Sequence, residues 1–252
     1  MLPVLLRLGP LQLYSYGAFM ALAFLIGLAL ARLAARALPD ALRAITANQL
    51  VDFCSVGLLS GIAGGRLYYV LMNWQWFVMN PWEVFAIWHG GLVWYGGFAG
   101  GLLGAWSYVR RHGLDFVRVF DQFIPFLALG HGIGRLGCFL NGCCYGRPTD
   151  SWCGVLFPGH ESPVWPTQLF EAAGLFLLYL LLRRLQTPEA LRRRGRVFGA
   201  YLCGYAALRF LIEQFRGDQP AWLAGFTLAQ ALSVGLFIAG AVVTLRAKKG
   251  RG

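Results

Sequence analysis

Apolar stretches of about 18 to 26 residues recur along this 252-residue chain, near 12–36, 47–72, 90–109, 117–134, 166–185, 197–215 and 225–245. No other feature constrains the fold as strongly. A helix that crosses the hydrocarbon of a bilayer needs roughly 20 mainly apolar residues, so each stretch reads as a candidate span. With 58% hydrophobic and 13% charged residues, the chain also carries more apolar surface than one soluble core of its length hides. The expected fold is an all-α integral membrane protein of about seven transmembrane helices, forming one domain over residues 1–252. The stretch from Leu11 to Leu38 is too long for a signal-peptide core and lacks a small-residue cleavage site, so it is read as a retained first span.

Basic residues mark alternate loops. Arg32, Arg36 and Arg43 follow the first stretch; Arg110, Arg111 and Arg118 the third; Arg183, Arg184, Arg192, Arg193, Arg194 and Arg196 the fifth; Arg246, Lys248, Lys249 and Arg251 the last. By the positive-inside rule this places the N-terminus outside and the C-terminus in the cytoplasm. The net charge of +11 therefore reports topology rather than a soluble basic face, and no nucleic-acid partner is expected. Arg66, Arg135, Arg147, Arg209 and Arg216 fall inside or at the outer ends of spans, where topology does not account for them. A charge deep in lipid costs several kcal/mol, so such residues face a partner or a water-filled cavity and mark a site.

Two of these arginines carry most of the signal. Arg135 stands in Gly134-Arg-Leu-Gly-Cys-Phe-Leu-Asn-Gly-Cys-Cys-Tyr-Gly146, among glycines that let a substrate approach the backbone, with Asn141 offering both donors and acceptors. The glycine-rich stretch 130–146 is read as broken and cavity-lining, since irregular backbone at membrane depth is tolerated where protein or water satisfies it. Arg209, Glu213 and Arg216 recur at helical spacing with Tyr205 one turn before, which predicts a polar stripe on one helix face. Two cations against one carboxylate leave positive charge for a phosphate, which arginine grips bidentately; a structural ion pair at Glu213 is the plainer alternative.

The remaining motifs are sorted by what they lack. Gly57, Gly61 and Gly65, and then Gly97 and Gly101, have the four-residue spacing of close helix contacts. His89 and Tyr95, in His89-Gly-Gly-Leu-Val-Trp-Tyr-Gly-Gly97, are candidates to move a proton. His131 and His160 are weaker, because a lone histidine near an interface is commonly a rim residue. Pro166-Thr-Gln-Leu-Phe-Glu171 reads as a helix start with Pro166 in the first turn and with Gln168 and Glu171 toward the cavity. Gly132-x-Gly134-x-x-Gly137 matches the dinucleotide fingerprint in letters but has no preceding strand. Cys54 and Cys203 lie in apolar stretches, whereas Cys138, Cys143, Cys144 and Cys153 share one loop region. Their spacing is not a recognised zinc pattern, so no metal and no cofactor are expected, and pairing as disulfides is left open. The absence of a C-x-x-C pair speaks against a thiol oxidoreductase, and a single broken segment speaks against a transporter.

Taken together, Tyr16-Gly17, Gly64-Gly65-Arg66, Gly90-Gly91 with Gly96-Gly97, Gly134-Arg135-Leu-Gly137 with Asn141-Gly142, Pro166-x-Gln168-Leu169-x-Glu171 and Arg209-Phe-x-x-Glu213-x-x-Arg216 resemble the bacterial prolipoprotein diacylglyceryl transferases over most of the chain. The resemblance implies transfer of the diacylglyceryl group of phosphatidylglycerol to the lipobox cysteine of a prolipoprotein signal peptide. The product is a thioether, glycerol phosphate is released, and the enzyme works among the membrane lipids of the bacterial inner membrane. It further implies that Arg135 and Arg209 bind phosphate and act in catalysis, that Glu213 and Arg216 hold Arg209, and that Tyr16 and Asn141 meet the headgroup. Gly97, Gln168 and Glu171 would face substrate, while Arg66, Gly134, Gly137 and Gly142 would be structural.

Four positions depart from the family pattern. Tyr95 stands where a histidine is common, Cys138 where an asparagine is, Cys143 where a glutamate is, and Trp165 where a histidine precedes Pro166. The usual candidate for thiol deprotonation is thereby missing. His89, Tyr95, water or the substrate phosphate are left to take the proton. The rival readings are a paralogue with another acceptor and a non-catalytic phospholipid-binding or transport protein.

Overall fold

Capping residues decide where two of the long helices of this chain begin. A computed structural model describes residues 2, 4–8, 11–217, 221–223 and 225–247; Lys248, Lys249 and Arg251 of the basic tail lie outside them. The long helices are α1 (Ser15–Ala37), α2 (Ala47–Met72), α4 (Trp94–Arg111), α5 (Phe116–Asn141), α6 (Thr167–Leu185), α8 (Arg196–Glu213) and α9 (Leu228–Leu245), with the short α3 (Trp74–Met79) and α7 (Pro188–Leu191) between them. Thr46 and Thr227 open α2 and α9 with capping boxes: each side chain accepts from the backbone N–H three residues on, while Gln49 or Gln230 reaches back to the cap.

Several expected boundaries move for local reasons. Residues expected to begin the first helix pair instead as a hairpin, β1 (Val4–Leu8) with β2 (Leu11–Tyr14), in which Arg7 faces Gln12. A second hairpin, β3 (Ala221–Leu223) with β4 (Phe226–Thr227), precedes α9. The fold is thus helical with two short hairpins. Helix α4 starts at Trp94 rather than 90, because Gly90 and Gly91 adopt φ of 83° and 73°, outside the helical region. Pro166 is the N-cap of α6 rather than its first helical residue.

The chain divides into two compact units. The first comprises Met1–Ala31, Pro39–Leu42 and Phe120–Gly252, the second Arg32–Leu38 and Arg43–Val119. In the second unit α2 and α4 pack backbone to backbone. A Cβ on Gly61 would stand 3.3 Å from Gly97 O, and one on Gly65 3.3 Å from Val93 O. A tighter approach is one residue out of the expected register: a Cβ on Gly64 would lie 2.5 Å from Gly96 O.

The first unit is built around α5, and here the expectation of a broken segment at 130–146 is corrected. The backbone is helical through Asn141, and the glycines are places where neighbours come close rather than breaks. A Cβ on Gly132 would meet the Phe176 ring at 2.6 Å, one on Gly137 would meet Phe19 Cβ at 2.7 Å, and one on Gly130 would sit 3.3 Å from Ala23 O. Irregular backbone begins at Gly142, with φ of 73°. Asp121, 1% exposed, joins α5 to α8 by accepting from the backbone N–H groups of Gly195, Val197 and Phe198 at 2.5, 2.9 and 2.8 Å. A carboxylate at a helix N-terminus satisfies orphan donors and favours the dipole.

Four segments, Ser15–Ala37, Asp40–Met72, Phe116–Asn141 and Leu228–Leu245, have the length and composition to cross a membrane. Their outward faces are apolar: Leu25, Leu33, Leu59, Leu67, Leu232 and Ile238 are all more than half exposed. Water does not tolerate so continuous an apolar exterior, whereas lipid does. The protein is a multi-pass, helical membrane protein.

Candidate active site

Helices α5, α6 and α8 of the first unit carry a cluster of charges that the apolar surroundings make conspicuous. Glu171, 1% exposed on the second turn of α6, receives Arg135 of α5, with Nη2 2.9 Å from Oε1. His131, one turn earlier on the same face of α5, brings Nε2 to 3.8 Å from that oxygen. On α8, Arg209 Nη2 lies 2.8 Å from Oε2 of Glu213, whose other oxygen accepts from Thr227 Oγ at 3.0 Å. The Tyr205 ring, one turn before Arg209, stacks on Tyr201 and is tilted 5.6 Å from His131. Both His131 and Tyr205 lie within electrostatic reach of Arg135, Glu171 and Arg209, which joins the two ion pairs into one centre.

The end of α8 differs from the sequence expectation. Helix α8 ends at Glu213, and Arg216 lies in the turn beyond it, its N–H donating to Glu213 O at 3.1 Å. The helix stops here because the chain turns: Phe215 O accepts from Arg147 N at 2.9 Å. Arg216 therefore follows the helix rather than continuing it. Within the helices, Arg135 pairs with Glu171 and Arg209 with Glu213.

What it retains is unfilled hydrogen-bonding capacity. Arg135 Nε, Arg209 Nη1, Glu171 Oε1 and Glu213 Oε2 are buried and, among the described residues, have no hydrogen-bond partner. Close contact without alignment gives Coulombic attraction and leaves directional donors open. A buried N–H of this kind costs on the order of 1–3 kcal/mol unless something accepts from it. An anion with several acceptor oxygens, such as a phosphodiester, answers both arginines.

Around this centre the 141–148 loop is tied to the start of α6. Gln168 Nε2 donates to Cys143 O at 2.6 Å, Thr167 Oγ donates to Cys144 O at 2.9 Å, and Gln168 Oε1 is buried without a partner among the described residues. Asn141 closes α5, and Gly142 takes the left-handed turn that a side chain resists. Gly134 sits against Met20 and Gly142 against Phe157. Tyr16, on the first turn of α1, is within electrostatic reach of Arg135 and of three cysteines, Cys138, Cys143 and Cys144. The Cys143 thiol is held well below its ordinary pKa by hydrogen bonding with Cys138 and Cys144, then with Asn141, and by the Arg135 charge, against the effect of burial. A recess of about 440 Å³ is lined by Gly142, Cys143, Cys144, Arg147 and Gly217 among others.

Other expected site residues belong to the second unit. Arg66 is a loop clamp: Nε donates to Val84 O at 3.0 Å and Nη1 to Gly90 O at 2.6 Å, while Nη2 donates to Glu83 O and Ala86 O. Its guanidinium also lies over the rings of Tyr69 and Phe77. His89 pairs with Glu83 at 2.8 Å and its side chain is 59% exposed. Tyr95 is 64% exposed, edge-on to Trp94. Gly97 faces Gly61 of α2 in ordinary contact.

Sequence reasoning undervalued His131, treated as a rim residue, and did not join Arg135 to Glu171. The signal for His131 was its i, i+4 relation to Arg135 on a helix; the Arg135–Glu171 pair spans 36 positions and had no local signal.

The model of a family described as prolipoprotein diacylglyceryl transferase matches residues 3–246. The chain is similar to proteins named phosphatidylglycerol–prolipoprotein diacylglyceryl transferase. One from Cupriavidus metallidurans is 35% identical, covering 99% of this chain and 95% of its own. Another from Photobacterium profundum is 37% identical over 98% and 93%, and a third from Legionella pneumophila is 36% identical over 94% of each. With a centre of paired arginines and glutamates on a multi-pass helical scaffold, and a match along nearly its whole length, the chain belongs to the prolipoprotein diacylglyceryl transferases.

Proposed function

We propose that this protein transfers the diacylglyceryl group of phosphatidylglycerol to the lipobox cysteine of prolipoprotein signal peptides. The observation that carries this reading is the pair of largely covered arginines, each held by its own glutamate, with the buried Arg135 Nε and Arg209 Nη1 left to donate. The acceptor thiolate attacks the glycerol carbon that bears the phosphate ester. A carbon–sulfur bond forms, the carbon–oxygen bond breaks, and glycerol phosphate leaves carrying the bond's electron pair. The thiol proton ends on the leaving phosphate.

Negative charge grows on the phosphate as the carbon–oxygen bond stretches, so donors fixed in advance around it lower the barrier without reorganising. Glu171 and Glu213 hold the two guanidinium groups in place, and Thr227 fixes Glu213. Tyr16, Asn141 and Gln168 would meet the headgroup, with Arg216 in the turn after α8. His131 lies beside both Arg135 and Glu171 and takes over the proton-transfer role for which His89 and Tyr95 were considered. This reading has all seven long helices crossing the inner membrane as one catalytic domain, N-terminus outside, with the charged centre reached from the outer leaflet.

The test is transfer of labelled lipid to a lipobox peptide in detergent or vesicles. Arg209→Ala and Arg135→Ala, each shown to insert and fold, are expected to lose at least about 100-fold in rate, the scale of one lost transition-state donor. Wild-type rates in either variant would remove the phosphate clamp from the mechanism.

A further inference from the structure

Three cysteines meet where the chain leaves α5. Cys138 lies on the last turn of the helix, and Cys143 and Cys144 lie in the loop that follows. Their sulfur atoms all fall within 4.8 Å of one another, and none of the three is in a disulfide. The turn that gathers them is built for it. Cys143 N donates to Cys138 O at 3.1 Å, Gly142 has φ of 73°, and Cys144 has φ of 63°, the one non-glycine residue with positive φ among those described. A side chain in that region is disfavoured, so the fold tolerates an unfavourable backbone to turn Cys144 toward the other two.

We propose that Cys138, Cys143 and Cys144 form a three-thiolate site for a thiophilic d¹⁰ cation of the zinc class. With metal–sulfur bonds of about 2.3 Å in tetrahedral geometry, the ligand sulfurs stand roughly 3.8 Å apart, so the observed trio needs to close by about an ångström at most. The site meets the other requirements of such a centre. Its ligand chemistry is uniformly soft, which selects zinc or copper(I) over magnesium or calcium. An entry path exists, because Cys143 and Cys144 line the 440 Å³ recess. The loop is tied down from α6, through Gln168 to Cys143 O and Thr167 to Cys144 O, which fixes two of the ligands from outside the site. The surplus negative charge of three thiolates around a divalent ion is answered by Arg135, within electrostatic reach of Cys138 and Cys144. The linear C-x4-C-C spacing hid this arrangement, since the left-handed turn folds residues five and six positions apart back onto the helix end. Three protein ligands leave a fourth position open, the mark of a metal site that takes a ligand rather than only a structural one.

The proposal rests on this chain's own residues and not on the transfer reaction, and its test reads the metal directly. Protein purified anaerobically after exposure to Zn²⁺ is expected to retain one equivalent per chain, with X-ray absorption showing about three sulfur scatterers at about 2.3 Å. Replacement by Co²⁺ should give thiolate-to-metal charge-transfer bands. Cys143→Ser, Cys144→Ser and Cys138→Ser should each lower the retained metal at least tenfold, while Cys153→Ser, a thiol outside the trio, should keep it. A sulfur-poor shell, full retention in the triple serine variant, or no retained metal with all three thiols titrating as free would overturn the site. A disulfide joining two of the three in the anaerobic protein would do the same.

Discussion

Arg135 of α5 and Glu171 of α6 meet at 2.9 Å in a site where Glu171 is 1% exposed. Each is the other's compensation, so removing one leaves a charge stranded. Glu171→Gln is expected to destabilise the protein by about 3–5 kcal/mol, the scale of breaking a buried pair from one side. The double variant Arg135→Met, Glu171→Leu should recover much of that loss and remain inactive. Thermal unfolding in detergent, run as a double-mutant cycle, measures the coupling; additive losses would show that the pair does not act as a unit.

Lysine separates charge from donor geometry at the same place. Arg135→Lys keeps a cation for Glu171 but has no counterpart of the unpartnered Nε–H, and lysine acts as a point charge where arginine presents a fork. The variant should insert and unfold near the wild-type temperature yet lose at least about tenfold in transfer rate. Arg209→Lys should behave alike because Nη1 is its open donor. A fully active lysine variant would mean that charge alone serves the phosphate.

How much of this was legible from the chain follows the range of each interaction. The polar stripe of α8 was visible because Tyr205, Arg209 and Glu213 are related by helical spacing, and the Arg209–Glu213 pair needs nothing beyond one helix. The Arg135–Glu171 pair depends on how α5 packs against α6, which local pattern does not encode. Glycines misled in α5: a run with Gly130, Gly132, Gly134 and Gly137 reads as a break from propensity, yet Phe19, Phe176 and Ala23 occupy the space that side chains would fill. The polar stripe was carried to Arg216, beyond the end of α8 at Glu213, because periodicity does not show the turn at Phe215 that Arg147 holds.

The α2–α4 crossing separates two kinds of glycine. A Cβ on Gly64 would fall 2.5 Å from Gly96 O and 2.9 Å from Gly100 Cα, both backbone atoms that do not yield, whereas one on Gly57 meets nothing within 4 Å. Gly64→Ala should therefore destabilise by about 1–3 kcal/mol through overpacking. Gly57→Ala should be neutral or stabilising by a few tenths to about 1 kcal/mol, from helix propensity alone. Unfolding of the two variants side by side checks the register; equal effects would place the helices differently.

Asp121 concerns a different bond between helices. Its carboxylate accepts from Gly195, Val197 and Phe198 N–H at the start of α8, the helix that carries Arg209 and Glu213. Asp121→Ala removes the cap and leaves buried donors unsatisfied, for a loss of about 2 kcal/mol or more. Asp121→Asn keeps one acceptor oxygen and should lose less. Fraying should begin at the capped end, so hydrogen exchange is expected to rise first at residues 197–200 and only later near Arg209. Uniform acceleration along α8, or none, would mean that Asp121 does not anchor this helix.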